Sequence, residues 1–127
     1  VTEWLPLDVM LPAPGQGALA VQCRADDSFT LELLSALEDK STRKAVTAER
    51  AFLQGLGGGC AVPVAAHAVI SNRSPVISLT GLVISEDGTK VVKVAGEGTD
   101  ALVLGNTLAQ QAIQNGADEI LKRVTEN

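Results

Sequence analysis

Between residues 18 and 24 apolar and polar positions alternate, with Leu19, Val21 and Cys23 on one side and Ala20, Gln22 and Arg24 on the other. A period of two predicts a short strand with Cys23 on its core side, although no partner strand lies nearby in sequence. The period then lengthens. Leu31, Leu34 and Leu37 follow the capping oxygens of Asp26, Asp27 and Ser28, with Glu32 and Glu38 outside, which predicts a helix over 28–39. Ser41 opens a second helix whose stripe is Ala45, Ala48, Phe52 and Leu56; Glu49 and Arg50 sit elsewhere on its surface, and Gly57 closes it as a left-handed cap. Three β-branched runs, 62–70, 76–85 and 90–96, are separated by turn residues at 72–75 and at Glu86-Asp87-Gly88, which predicts an antiparallel meander. Ile77, Leu79 and Val83 form the face toward the helices and Ser78 and Thr80 the other face, where Leu82 and Ile84 add enough apolar character to predict partial cover. Thr99 or Asp100 caps a helix carrying Leu104, Leu108 and Ala112, Asn115-Gly116 ends it, and 117–124 forms a last short helix with Ile120, Leu121 and Val124 on its apolar side. The order is helix, helix, three strands, helix, helix: an α+β fold with a three-stranded antiparallel sheet and helices on one face.

The first sixteen residues break this pattern. Pro6, Pro12 and Pro14 are three of the five prolines, and Gly15 and Gly17 follow, so the stretch is extended, a linker or the tail of something larger. The chain has 127 residues, 46% of them hydrophobic, which suits one domain, or one domain plus a piece of another, and excludes general disorder. Only Trp4, Phe29 and Phe52 are aromatic, and the net charge is −5, so neither a stacking platform for single strands nor a duplex-binding surface is expected. No apolar run is long enough to span a bilayer, and Val1-Thr2-Glu3-Trp4 has neither an initiator Met nor a secretory signal, which leads to the expectation of a cytoplasmic, processed or excised piece. Asn72-Arg73-Ser74 before Pro75 reads as a turn rather than a glycosylated site. Two cysteines 37 positions apart and a single His exclude a disulfide framework and a zinc site.

Cys60 is the residue with most chemical promise. Positions 55–59 hold four of the twelve glycines, and Gly57-Gly58-Gly59 leads directly into Cys60 between a predicted helix and a predicted strand. Glycines permit positive φ and close approach of a ligand to the backbone. A thiol there is either a reaching nucleophile or a small buried residue at a turn, and the spacing leaves both open. His67 lies seven positions on, within a strand, and reads as a half-buried strand histidine. The glycine run lacks the Gly-Lys-Ser/Thr ending and the preceding strand of a phosphate loop. Pro14-Gly15-Gln16-Gly17 is a tight turn whose Gln16 could offer an amide to a ligand or form only a hinge, and Arg24 beside Asp26 and Asp27 reads as a surface ion pair.

Taken together, LPAPGQGALAVQCR (11–24) and AERAFLQGLGGGCAVPVAAHA (48–68) closely resemble the porphobilinogen deaminase, or hydroxymethylbilane synthase, family, and match only its C-terminal part. The resemblance implies three domains: residues 1–27 are the end of domain 2 and the return segment into domain 1, and 28–127 form the α+β domain 3. It implies an enzyme that joins four porphobilinogen molecules with release of ammonia to give hydroxymethylbilane. A covalent dipyrromethane cofactor is implied on the Cys60 thiol, with Gly58 and Gly59 giving the loop room. It further implies that Gln16 lines the cleft near the cofactor and the growing pyrrole chain, that Arg24 contributes to substrate binding, and that no catalytic residue lies in this segment. The catalytic aspartate and the arginines that an anionic product demands are expected in domains 1 and 2. The parent is expected to be monomeric and free of nucleic acid and membrane. The segment alone is expected to be inactive and to carry an unmodified Cys60, with the apolar side chains of residues 1–27 either mobile or buried in a non-native self-contact. The competing reading is a non-enzymatic α+β binding or oligomerisation module in which Trp4, Leu5, Leu7 and Leu11 form an interaction strip and Cys60 is inert. A thiol redox protein ranks last, since there is no Cys-x-x-Cys.

Overall fold

A computed structural model describes residues 1–58, 63–71 and 74–125, with the backbone alone at 123–125. Its elements run α1 (Ser28–Ser35), α2 (Lys40–Gly55), β1 (Val64–Ile70), β2 (Ile77–Ile84), β3 (Val91–Gly98), α3 (Ala101–Ala112) and α4 (Asp118–Thr125), in the predicted order. The strands form one antiparallel sheet in the order β1-β2-β3. The register sets Val64 opposite Val83 and Val83 opposite Val92, so Ala66, Ala68, Ile77, Leu79, Val83 and Val94 share one buried face. Helices α2 and α3 lie side by side on that face.

Local chemistry fixes the helix starts. Asp27 caps α1 by accepting from the Thr30 amide at 3.0 Å and the Thr30 hydroxyl at 2.8 Å. Asp39 caps α2 by accepting from the Thr42 amide at 2.6 Å, and Asp100 caps α3 through the Val103 amide at 2.9 Å. Those amide bonds, from Thr30 and Thr42 respectively, hold the Asp27 and Asp39 carboxyls below the usual carboxylate range. The helix predicted over 28–39 stops at Ser35, because Asp39 and Lys40 already belong to the start of the next one. Between α3 and α4 the chain kinks at Gly116, with φ 99°, as the Asn115-Gly116 signal predicts.

The core is aliphatic around one ring. Phe52 is fully buried, and a Cβ at Gly81 of β2 would stand 2.3 Å from its Cζ, so the missing side chain is the space the ring occupies. At Gly105 of α3 a Cβ would stand 2.4 Å from the Ala48 carbonyl oxygen and 2.6 Å from the Ala51 Cβ. The two helices therefore touch backbone to backbone. Ile120 completes the core from α4, Leu121 is half-buried against it, and the Val124 side chain lies outside the described residues.

Two expectations need correction. Residues 18–24 form no strand: Leu19 is wholly exposed, Val21 is exposed and Cys23 is half-buried and free, so none of them belongs to the core. The reason is a lack of partners, since the free edge of β1 is occupied by other groups. Glu49 is not on the surface but buried, at 6% exposure. On the outer sheet face Leu82 and Ile84 are half-buried, with no helix over them among the described residues, while Val69 and Val91 are about half exposed.

Candidate functional site

The glycine tract begins as a helix stop. Gly57 donates to the Gln54 carbonyl at 3.0 Å and Gly58 to the Leu53 carbonyl at 3.1 Å, which is the paired closure of a Schellman motif. It requires a left-handed residue after the cap, and Gly57 supplies it with φ 100°; Gly58 follows at φ 55°. Among the described residues, a Cβ at Gly57 would meet nothing within 4 Å. Gly59 and Cys60 lie outside the described residues. The chain returns at Pro63, whose carbonyl accepts from Ile84 at 3.1 Å, and enters β1 at Val64. Both ends of the cysteine loop are thus tied to packed elements, one to α2 beneath Leu56 and the other to the sheet.

Gln16 sits in a closed turn. Its backbone amide donates to the Ala13 carbonyl at 3.1 Å, and its side-chain Oε1 accepts from the Ala13 amide, also at 3.1 Å. The side-chain carbonyl is used internally, which leaves the amide nitrogen of this exposed residue as the part able to donate outward. The turn is fastened to the body of the domain. Gly15 donates to Glu49 Oε2 at 2.7 Å, Ala68 donates to Glu49 Oε1 at 2.8 Å, and Ala66 donates to the Pro12 carbonyl at 3.0 Å. Pro12 and Glu49 thereby occupy two amides on the open edge of β1, which would otherwise be free to pair with another chain.

Glu49 is the residue that sequence reasoning misplaced. A signal existed: it stands four positions after Ala45 and three before Phe52, on the buried stripe of α2, and an acid there needs donors. The donors are backbone amides from distant segments, which carry no side-chain signature.

The remaining candidates lie on other parts of the chain. Arg24 is exposed and takes part in none of the ion pairs among the described residues, which are Arg43–Glu38, Lys90–Glu119 and Lys122–Asp118. His67 is half-buried on the outer face of β1, opposite Thr80. A cavity of about 420 Å³ lies where residues 18–21 pass over α1 and α2, with Leu34, Leu37 and Val46 as apolar wall and Arg43 and Arg50 at its rim. Along α2 it runs from Thr42 to Arg50. Among the described residues no group of His, Cys, Asp or Glu could hold a metal ion.

Two family models match this chain. "Porphobilinogen deaminase, C-terminal domain" covers residues 43–114, and "Porphobilinogen deaminase, dipyromethane cofactor binding domain" covers 1–32. Similar proteins named porphobilinogen deaminase include that of Brevibacillus brevis, 46% identical over 98% of this chain, and that of Staphylococcus aureus, 44% identical over 99% of it. The chain spans 40% and 41% of the length of those relatives, respectively. With more than half of its residues inside the first of these models, the chain belongs to the porphobilinogen deaminase family.

Proposed function

We propose that this chain serves a hydroxymethylbilane synthase, a transferase of tetrapyrrole and haem biosynthesis that joins four porphobilinogen molecules with loss of ammonia, and that its own task is to hold the primer. Cys60 is the attachment point. A thiolate is a soft nucleophile suited to bonding a methylene carbon attached to a pyrrole, and a thioether persists through later turnover. When bound, a dipyrromethane supplies the free pyrrole position on which chain growth begins.

The observation that carries this reading is the exit of α2. A helix pinned by Phe52 and Ala48 ends in a Schellman closure at Gly57 and Gly58, two residues before Cys60, and no described residue comes within 4 Å of a Cβ at Gly57. A helix with a fixed end fits a bulky group that must grow while its root stays put. Gly58 and Gly59 give the loop its freedom, Gln16 offers amide donors to the pyrrole substituents, and Arg24 assists in substrate binding. The anionic product calls for a cluster of arginines, yet this chain carries a net charge of −5. The catalytic aspartate and that cluster therefore belong to the remainder of the protein. Residues 1–27 are the piece that packs against it, and 28–127 form the cofactor-bearing domain. Trp4, Leu5, Leu19 and Val21 are exposed here in a way that fits such a contact. No described helix is long and apolar enough to cross a membrane, and the proposed setting is the cytoplasm, with a monomeric parent.

The test uses the full-length protein. Ehrlich's reagent should colour it through the bound dipyrrole, and intact mass should carry an adduct of dipyrromethane size. Cys60→Ala should abolish both, along with activity. An unmutated protein that gives neither colour nor adduct defeats the proposal.

A further inference from the structure

We propose that Glu49 is a positioning residue, which locks the turn carrying Gln16 in fixed register with β1, the strand that follows the Cys60 loop. The inference rests on the reading of Cys60 and Gln16 given above, and it gives a role to Glu49, which stands in the second motif without one.

The geometry is unusual for a buried acid. Glu49 is 6% exposed, and both of its oxygens are used, each by a backbone amide: Gly15, 34 residues before it, at 2.7 Å, and Ala68, 19 residues after it, at 2.8 Å. An apolar residue of similar volume would fill the same space without the cost of dehydrating a charge. Bulk is therefore not what the carboxylate adds. It adds two acceptors at a fixed spacing, which a helix side chain can hold only because α2 is itself immobilised by Ala48, Ala51 and Phe52 on either side of it. Gly15 is further seated on α2, since a Cβ there would stand 3.8 Å from Val46 Cγ1 and 3.9 Å from Arg50 Nε. Gln16 is the next residue, in a turn closed twice on Ala13, so a fixed Gly15 fixes Gln16. Ala68 lies in the same strand whose first residue, Val64, ends the cysteine loop. One carboxylate thus joins the two segments that must face the same pyrrole chain, by paths of one residue on one side and a single strand on the other.

The substitution that separates these roles is Glu49→Gln. An amide has the same shape and offers one acceptor, so one of the two backbone donors is left facing an NH2 group. In the full-length protein the Cys60 adduct should remain, while kcat/KM for porphobilinogen falls about tenfold, the loss of roughly one charge-assisted hydrogen bond. Adding Gln16→Ala to Glu49→Gln should lower kcat/KM less than twofold further, because Gln16 has already lost its place. Full additivity of the two substitutions, or kcat/KM unchanged in Glu49→Gln, overturns the inference. An independent reading on the unmutated protein is scalar coupling across hydrogen bonds from the Gly15 and Ala68 nitrogens to the Glu49 carboxyl carbon. Both couplings should be present, and absence of either overturns the lock even where Glu49→Gln fails to fold. A protein that lacks the Ehrlich-reactive adduct but shows both couplings removes the function reading and leaves the lock standing.

Discussion

At the scale of single residues, what the sequence made legible were positions where backbone geometry has one good solution. Gly57 was readable as a left-handed cap because a helix that stops needs positive φ there, and it has φ 100°. Gly116 is the same case. Asp87 is another: in the turn between β2 and β3 its Oδ1 accepts from the Ser85 hydroxyl at 2.5 Å, the Thr89 amide at 3.0 Å and the Thr89 hydroxyl at 2.8 Å, with Gly88 at φ 71°. The Ser85 hydroxyl above all, then Thr89, pulls the Asp87 carboxyl from 3.8 down to about 2. A carboxyl depressed in the folded state stabilises the fold fully above its unfolded value and loses that contribution as pH falls through its folded value. The Asp87 contribution should therefore be intact above pH 3.8 and fade as pH falls toward about 2. A carboxyl-carbon titration should place the Asp87 midpoint near 2, and the Asp87→Ala protein should lose part of the acid-induced drop in thermal stability over that window. A midpoint at the ordinary Asp value would mean that the turn does not hold this geometry in solution. Glu49 escaped notice for the opposite reason: its partners are amides of Gly15 and Ala68, and amides are the same at every residue.

At the scale of elements, the meander and the two helices on it were legible because each carries its own period and turn residues, and Ile77, Leu79 and Val83 face the helices as the alternation requires. The separation between α2 and α3 was not legible, since it depends on Gly105 meeting Ala48 and Ala51 from a helix more than fifty residues away. That contact makes a sharp prediction. A methyl group at 105 would stand 2.4 Å from the Ala48 carbonyl oxygen and 2.8 Å from the Phe52 amide nitrogen, and backbone cannot swing aside as a side-chain end can. Gly105→Ala should cost about 3 kcal/mol, the upper end for overpacking, and lower the melting temperature by roughly 10 °C. Gly98→Ala is the matched control, because a Cβ there would make ordinary contact with Leu104 at 3.5 Å, and its melting temperature should stay near that of the unmutated protein. Equal melting temperatures for both variants would refute the close crossing. Residues 18–24 are the instructive misreading, and helix α1, which forms where its period says, is instructive beside them. Their apolar periods are real, yet α1 buries no residue and Leu19 is wholly exposed, so the patterns describe contacts this chain does not make with itself.

At the scale of the whole molecule, those two unsatisfied patterns and the extended lead-in follow one another along the chain. Trp4, Leu19, Val21, Phe29 and Leu37 are all exposed, at 86%, 100%, 69%, 71% and 77%, along a single stretch of the chain. Buried apolar area is the main source of folding stability, so a stretch that buries so little is held chiefly by the polar contacts at Pro12 and Gly15. Under the proposed function the missing partner is the rest of the enzyme, and one substitution then has opposite consequences in two settings. In the 127-residue segment studied alone, Leu19→Glu removes apolar surface that is wholly exposed. It should leave the melting temperature unchanged and shift sedimentation toward the monomer. In the full-length protein the same change places a charge in an interface, which should lower stability by about 2–3 kcal/mol while the Cys60 adduct persists. Trp4→Lys, further along the strip, should repeat the contrast. If the segment is monomeric without any substitution, and Leu19→Glu is silent in the full-length protein, the exposed strip has no partner in the enzyme, and the assignment of residues 1–27 to its interior surface falls with it.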